Sequence, residues 1–239
     1  MIQIGCCGFP KAKLIYGREL KLVEVQQTFY QPPKVETALR WRKEVPESFQ
    51  FVLKAWQLIT HTPSSPTYRR LRVKIPDDKR NHYGSFRPTE DVREAWIRTQ
   101  EVAQALRAEI VLFQCPASFQ PKEENLAQLR EFFRTAEREN LSFAWEPRGR
   151  WSGELIGKLC RELNLVHAVD PFARPPQHGK FNYFRLHGMG GYRYRYCDED
   201  LEKLYQMCVG KPLSLCLFNN MTRYQDALRF RDLVESRES

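Results

Sequence analysis

The sequence has no apolar run approaching the roughly 20 residues that a membrane-spanning helix needs. It also has no CxxC pair, no HExxH sequence, no P-loop and no Gly-rich dinucleotide-binding fingerprint. We find no internal repeat, low-complexity tract or interdomain linker. These absences exclude the redox, zinc and nucleotide sites that are recognised by these short sequence motifs. The chemistry must come from residues that the fold brings together.

The seven cysteines do not suggest a disulfide framework, because their number is odd and the chain is too long to need one. Cys6, Cys115 and Cys216 fall within or just after predicted strands, which favours buried thiols. A soft-metal or iron–sulfur site is the alternative, with little support from the spacing. A strand predicted from residue 2 leaves no room for a signal peptide, so we expect a cytoplasmic protein without a membrane partner.

Basic residues outnumber acidic ones, 38 to 29, which gives a net charge of +9. Such an excess favours anionic partners such as phosphates, nucleic acid or acidic surfaces. The alternative is a surface of arginine and glutamate pairs like that of thermophilic proteins. The sequence does not indicate an oligomeric state.

Eight short apolar runs each end on or beside a polar or ionisable residue. They are IQIGC (2–6), LVEVQ (22–26), FQFVLKA (49–55), EIVLFQ (109–114), SFAWE (142–146), LVHAVD (165–170), FNYFRLH (181–187) and LSLCLFNN (213–220). Nearly continuous apolar runs of this length suit strands buried on both faces of a parallel sheet. Eight of them in about 250 residues predict an α/β fold, a single irregular (β/α)8 TIM-type barrel with its site at the carboxyl ends of the strands.

The segments between the runs predict most of the barrel's helices. Residues 9–20 leave room for a short helical turn only, and helices are expected near 33–43, 90–107, 122–139, 153–163, 198–209 and 222–235. Thr89 is the expected N-cap of the second of these helices and Asp198 that of the fifth. The proline-rich PFARPPQHGK predicts no regular helix between strands 6 and 7. We expect one domain over 1–239, with a basic loop insertion at 62–88 after strand 3.

Several segments together resemble the YecE-like family, which is catalogued as domain of unknown function 72. They are IGCCGFP, VEVQQTFYQPP, FVLKAWQLITH, VLFQCPASF, FAWEPRGRW, YFRLHG, YxDEDLEKL and FNN, and they extend over essentially the whole chain. The resemblance implies a (β/α)8-type barrel and no function. The chain departs from the family pattern after strand 5, where Glu-Pro-Arg-Gly-Arg-Trp replaces Phe-Arg-His-Pro-Ser-Trp, and at Met221, where an aspartate often follows the asparagine pair.

Four ionisable residues lie inside otherwise apolar strands: Glu24, Lys54, Glu146 and Arg185. Burying a charge is costly unless it is paired, so we expect some of them to pair with each other. They either form a closed ion-pair network or a site in which burial tunes pKa values, and their strand positions favour the site. Lys54 could form a Schiff base if burial lowered its pKa. We expect nearby acids to keep it a cation instead.

A divalent metal ion is a candidate cofactor, although no short ligand motif supports it. Its candidate ligands are Glu24, His61, Glu146, Asp170 and His187. Without a metal, Glu146 is the preferred general base and His187 or His61 the preferred general acid. The predicted catalytic residues are therefore Glu24, Lys54, Glu146 and His187.

The segment HGMGGYRYRY (187–196) follows strand 7, in a frequent phosphate-binding region of such barrels. Its arginines could clamp an anion and its tyrosines could stack on bases, or the segment is a solvated loop with tyrosines packed beneath it. The basic loop 62–88 could cover the same face. The predicted substrate-binding residues are Tyr30, His61, Gln114, Arg148, Asp170, Arg185, Arg193, Arg195, Asn219 and Asn220.

These features lead to an enzyme of the hydrolase or lyase class that acts on a phosphate-bearing substrate, with DNA or RNA among the candidates. One alternative is a barrel that binds nucleic acid without catalysis. Another is an enzyme for small metabolites that does not bind nucleic acid. Fold alone does not rank these hypotheses, because this barrel hosts many unrelated chemistries.

Overall fold

All eight apolar runs form strands, and a computed structural model, which describes residues 1–238, closes them into one parallel barrel. The strands are β1 (Ile2–Cys7), β2 (Leu22–Val25), β3 (Gln50–Lys54), β4 (Ile110–Gln114), β5 (Ser142–Glu146), β6 (Leu165–Val169), β7 (Asn182–Leu186) and β8 (Ser214–Phe218). Each strand pairs with the next in the chain, and β8 pairs with β1. The predicted TIM-type fold is confirmed.

The helices are α1 (Lys13–Glu19), α2 (Gln27–Tyr30), α3 (Val35–Lys43), α4 (Gln57–Thr60), α5 (Glu90–Leu106), α6 (Glu123–Thr135), α7 (Gly153–Glu162), α8 (Asp198–Cys208) and α9 (Arg223–Glu238). No helix separates β6 from β7 in the described chain, as predicted. The one-turn helices α2 and α4 were not predicted. None of the helices within residues 1–238 is long and apolar enough to cross a bilayer.

The two predicted helix caps have different outcomes. The Thr89 hydroxyl accepts a hydrogen bond from Val92 N at 3.3 Å, so Thr89 caps α5 as expected. The prediction of Asp198 as a cap is wrong, because Cys197 is the N-cap of α8 and Asp198 begins the helix. Asp200 accepts the Cys197 N–H at 3.0 Å, which satisfies the backbone donor at that end.

The core has two parts, one between the strands and the helices and one inside the barrel. In the outer part, Phe113 lies in edge contact with Phe133 and Phe143, with ring centroids 5.0 and 5.1 Å apart. The inner part holds Leu22, Val52, Ile110, Leu112, Ala144, Val166, Ala168, Tyr183, Leu215 and Leu217. Because successive strand residues point to opposite faces, this inner layer determines which later residues also face the barrel interior.

Gly5 lies where β1 and β2 approach most closely. A Cβ atom at this position would sit 2.0 Å from the backbone oxygen of Leu22, its partner in the sheet. We expect Gly5→Ala to lower the free energy of unfolding by about 3 kcal/mol, since a strand carbonyl cannot move aside easily. Gly157→Ala in α7 is the matched control, because its nearest neighbour is the Arg161 side chain at 3.4 Å. Urea unfolding that gave equal losses for both variants would contradict this expectation.

Candidate functional site

The carboxyl ends of five strands place polar side chains on the inner face of the barrel. These side chains are Glu24, Lys54, Gln114, Glu146 and Arg185, which we call the polar layer. Each follows by two positions a residue of the inner apolar layer, namely Leu22, Val52, Leu112, Ala144 and Tyr183. Alternation along a strand therefore puts both sets on one face, with the polar layer nearer the mouth.

Arg185 is the centre of the polar layer and is almost completely buried. Its Nε donates to Glu24 Oε2 at 3.0 Å and its Nη2 to Glu24 Oε1 at 2.8 Å. Its Nη1 donates to Glu146 Oε2 and, at 3.1 Å, to Gln114 Oε1. One guanidinium thus joins two carboxylates from opposite parts of the barrel, in the bidentate geometry that suits arginine.

Both carboxylates of this network stay ionised at neutral pH. Burial alone would raise the pKa of Glu24, but Arg185 and the hydrogen bond from the Tyr183 hydroxyl, at 2.7 Å, lower it below its ordinary value. Burial would also raise the pKa of Glu146, but Arg185, His187 and then Arg148 hold it well below its ordinary value. A carboxylate with so low a pKa is a weak base, which favours a positioning role for Glu146 over the expected role of general base.

Lys54 differs from the rest of the polar layer because, among residues 1–238, no carboxylate oxygen lies within 4.0 Å of its Nζ. Its Nζ lies 3.7 Å from the centroid of the Phe29 ring. Burial, reinforced by Arg185, lowers the pKa of Lys54 to about 7 despite the opposing charges of Glu24 and Glu146. Both acids are bound to Arg185, and the structure therefore disfavours the expectation that they keep Lys54 fully charged.

Two histidines border the polar layer. His61 is buried, its Nδ1 lies 2.8 Å from the Thr60 hydroxyl, and burial lowers its pKa to about 3. His187 keeps 31% of its side chain exposed, and its Nε2 lies 3.6 Å from Glu146 Oε1. Asn219 Nδ2 lies 3.2 Å from His187 Nδ1. If this amide donates, the ring proton sits on Nε2 and faces Glu146. His187 is the more exposed of the two, although its Nε2 atom is buried and makes no hydrogen bond within residues 1–238.

The five candidate metal ligands are not brought together as a metal site. Glu24 is fully engaged by Arg185. Asp170 accepts the backbone N–H of Phe172 at 3.1 Å and that of His187 at 2.9 Å, so it shapes the loop after β6. Within residues 1–238, no three His, Cys, Asp or Glu side chains are arranged to hold a metal ion. The residues present therefore do not fit a divalent ion.

Three of the predicted substrate-binding residues, Arg148, Asn219 and Asn220, divide into two groups. Arg148 donates to Glu146 Oε1 at 3.0 Å and remains partly exposed, and Asn219 contacts His187, so both reach the site. Asn220 is fully buried and donates to Asp226 Oδ2 and to the Tyr194 oxygen, both at 2.7 Å. Asn220 therefore holds the loop before α9 and is not placed to bind a substrate.

The loop after β7 is fixed from beneath by its tyrosines. The Tyr196 hydroxyl accepts the Gly188 N–H at 2.9 Å, and the Tyr194 hydroxyl donates to Asp200 at 2.6 Å. Arg193 and Arg195 are exposed, and neither makes a hydrogen bond or ion pair with the polar layer in the described chain. The packing predicted as the alternative to base stacking is what Tyr194 and Tyr196 show.

The basic segment 62–88 is folded onto the strand-end face. It contains two 3-10 helices, Pro66–Arg70 and Asp77–His82. At its first end the Tyr68 hydroxyl donates to the His61 oxygen at 2.8 Å. At its second end, Asp91 of α5 contacts Lys79 Nζ, His82 Nδ1 and the Tyr83 hydroxyl, each at 2.9 Å. Both ends of the segment are thus attached to the barrel.

Sequence reasoning missed several neighbours of the polar layer. Tyr183 and Gln26 both donate to Glu24, and each lies two positions from a predicted site residue on its own strand or just after it. Strand alternation could have indicated both. Phe29 covers Lys54, but it lies on the unpredicted helix α2, and no local signal marked it.

Comparison with known proteins agrees with this architecture. The family model "Protein of unknown function DUF72" matches residues 11–238. The UPF0759 protein YunF of Bacillus subtilis (strain 168) is 31% identical over 144 residues, which are 54% of this chain and 45% of that protein. The chain thus matches less than half of that relative's length.

Two solved structures are similar to the whole chain. A DUF72 family protein from Enterococcus faecalis V583 is 21% identical with a TM-score of 0.71, and the match covers 98% of both chains. A xylose isomerase domain containing protein from Salmonella typhimurium LT2 is 10% identical with a TM-score of 0.58, over 98% of this chain and 96% of that one. At these identities both likenesses show the fold alone. Since the family model matches almost the whole chain, this protein belongs to the DUF72 family of proteins of unknown function.

Proposed function

We propose that this protein is an enzyme of the lyase class, with its active site at the carboxyl ends of the strands. Lys54 is its nucleophile, and the substrate carries both a carbonyl group and a phosphate. The observation that supports this proposal is the state of Lys54. It is the buried ionisable group of the polar layer that has no carboxylate partner among residues 1–238, and its pKa falls to about 7.

A neutral lysine amine can attack a carbonyl carbon, form a C–N bond and, after loss of water, leave a protonated imine. The imine nitrogen accepts the electron pair of a neighbouring bond as that bond breaks, and water later releases the product and restores the amine. With its pKa lowered to about 7, Lys54 is neutral at pH 7 in a far larger share of molecules than an ordinary lysine, whose pKa is about 10.4. This difference favours lyase over hydrolytic chemistry.

His187 is suited to move the protons that these steps require. Its side chain is partly exposed, Asn219 contacts its Nδ1 at 3.2 Å, and its Nε2 faces Glu146 Oε1 at 3.6 Å. Arg185 holds Glu146 in place, and Arg148 extends from Glu146 toward solvent. In this proposal the ion-pair network positions the histidine and keeps Lys54 free of a carboxylate, because both acids are already bound.

The phosphate part of the proposal rests on charge. The chain carries a net charge of +9, and the basic segment 62–88 lies on the same face as Lys54. A phosphorylated metabolite and a nucleic acid with an exposed aldehyde both meet this description. Binding of nucleic acid without any chemistry at Lys54 would instead support the non-catalytic scaffold.

Trapping with borohydride tests the proposal, because reduction makes an imine permanent. We would incubate the protein at pH 7 with glycolaldehyde phosphate, with glycolaldehyde, or with an oligonucleotide that contains an abasic site, and locate the adduct by mass spectrometry. We expect Lys54 to be labelled at least about tenfold faster than exposed lysines, since far more of it is neutral. Lys54→Met should lose this label, whereas exposed Lys34→Met should keep it. No preference for Lys54 with any of the three probes would overturn the proposal.

A further inference from the structure

A polar pocket of about 380 Å³ lies between helix α2 and the basic segment. It is lined by Gln26, Gln27, Tyr30, Gln31, Arg70 and Arg72. The lining has two guanidinium groups, three amides, one phenol and no carboxylate. We call it the Arg70–Arg72 pocket.

The two arginines of this pocket have no acidic partner. Among residues 1–238, no carboxylate oxygen lies within 4.0 Å of either guanidinium, whereas exposed arginines elsewhere, such as Arg93 and Arg98, pair with glutamates one helical turn away. Arg70 lies over the Tyr30 ring with its Cζ 3.6 Å from the centroid. The Arg72 backbone N–H donates to Gln31 Oε1 at 3.2 Å. Two exposed arginines without a carboxylate partner therefore line one pocket, and the guanidinium of Arg70 packs on Tyr30.

The pocket is one side chain away from Lys54. Tyr30 lines the pocket and is in edge contact with Phe29, with ring centroids 5.1 Å apart. Phe29 in turn contacts Lys54, whose Nζ lies over the Phe29 ring. Gln26 connects the two places a second time, because it lines the pocket and donates to Glu24 of the polar layer. Two routes of contact, one through Tyr30 and Phe29 and one through Gln26 and Glu24, therefore join the pocket to the polar layer.

We propose that the Arg70–Arg72 pocket binds the phosphate monoester group of a small carbonyl substrate. Guanidinium groups donate pairs of hydrogen bonds to phosphate oxygens, and the glutamine amides supply further donors. The pocket has a volume of about 380 Å³ and holds two guanidinium groups, which suits a single terminal phosphate better than a continuous nucleic-acid backbone. The link between this phosphate and the carbonyl at Lys54 rests on the function proposed above, whereas phosphate binding itself does not.

Titration with inorganic phosphate tests the pocket directly, and calorimetry can measure it on the full chain. The test variant is Arg70→Gln with Arg72→Gln. The control is Arg69→Gln with Lys74→Gln, which removes two positive charges from exposed positions of the same segment outside the pocket. We expect at least about a tenfold loss of affinity in the test variant and little change in the control. Equal losses of phosphate affinity in the test and control variants, or no binding of phosphate to wild type, would overturn the proposed phosphate site.

The trapping assay separates this inference from the proposed function. The test variant should label Lys54 with unphosphorylated glycolaldehyde as fast as wild type, but with glycolaldehyde phosphate several-fold more slowly. If phosphate binding falls in the test variant while Lys54 is never labelled, the pocket stands and the enzyme proposal fails. If an oligonucleotide binds through these arginines and inorganic phosphate does not, the monoester assignment is overturned.

Discussion

Replacing Arg185 with methionine is expected to lower the free energy of unfolding by about 3 to 5 kcal/mol, because it leaves two buried carboxylates without their common partner. Glu24 is fully buried and Glu146 nearly so, and Arg185 is the guanidinium that binds both. Urea unfolding at pH 7.5 measures this loss. Since methionine has a similar length, the effect reports charge rather than a cavity.

A matched variant separates the stability lost through unpaired buried carboxylates from stability lost for other reasons. Adding Glu24→Gln and Glu146→Gln to Arg185→Met removes all three charges, so we expect it to recover most of the lost stability. The non-additivity should be largest between Arg185 and Glu24, which share two hydrogen bonds. A loss below about 1 kcal/mol for Arg185→Met alone would indicate that water already solvates both carboxylates.

Acid is expected to destabilise the protein well before its carboxylates titrate. Burial lowers the pKa of His61 to about 3 and that of His167 to about 4. Below pH 6.5 the unfolded chain therefore binds protons that the folded chain does not, so stability falls as pH falls from about 6.5 toward these lower values. Each histidine should cost about 2 to 3 kcal/mol between pH 6.5 and pH 4.5.

The glutamates act in a different window. The folded-state pKa values of Glu24 and Glu146 are lowered, so their stabilisation is complete above the unfolded value near 4.3 and is lost only below it. Urea midpoints at pH 6, 5 and 4.5 thus isolate the histidines, because Lys54, whose pKa is about 7, is largely protonated in both states over this range. His61→Asn and His167→Asn should each flatten the dependence, and the double variant should nearly remove it. A wild type equally stable at pH 6 and pH 4.5 would contradict this mechanism.

Strand positions could be predicted from the sequence because buried parallel strands leave a strong local pattern. The run SFAWE predicted β5 with the bounds that the structure shows, and it placed Glu146 at the carboxyl end. Alternation then fixes the face on which each residue lies, so Glu24 and Arg185 could be expected to meet. The apolar pattern therefore predicts both the position of a strand and the face of the sheet on which each of its side chains lies.

The hydrogen-bond partners of loop residues could not be predicted. They depend on the path of the loop backbone, which has no regular sequence pattern like that of a strand or a helix. Asp170 and Asn220 looked like ligands but bind backbone groups or a neighbouring carboxylate. The pKa of Lys54 was equally out of reach. This pKa depends on burial and on the charges of Arg185, Glu24 and Glu146. The distances between these side chains are set by the closed barrel and cannot be read from any one segment of the sequence.

The double attachment of the basic segment has a consequence for how tightly it can hold a ligand. The segment is fastened at Tyr68 and again at Asp91, so residues 71–78 span two fixed points. The conformational entropy of these residues was already lost when the chain folded, and an anion that arrives later does not have to order them. Asp91→Asn, which weakens the attachment at Lys79, His82 and Tyr83, would therefore lower the affinity for an anion without changing the pocket. Residues 71–78 would then be mobile before binding, and ordering them would cost conformational entropy.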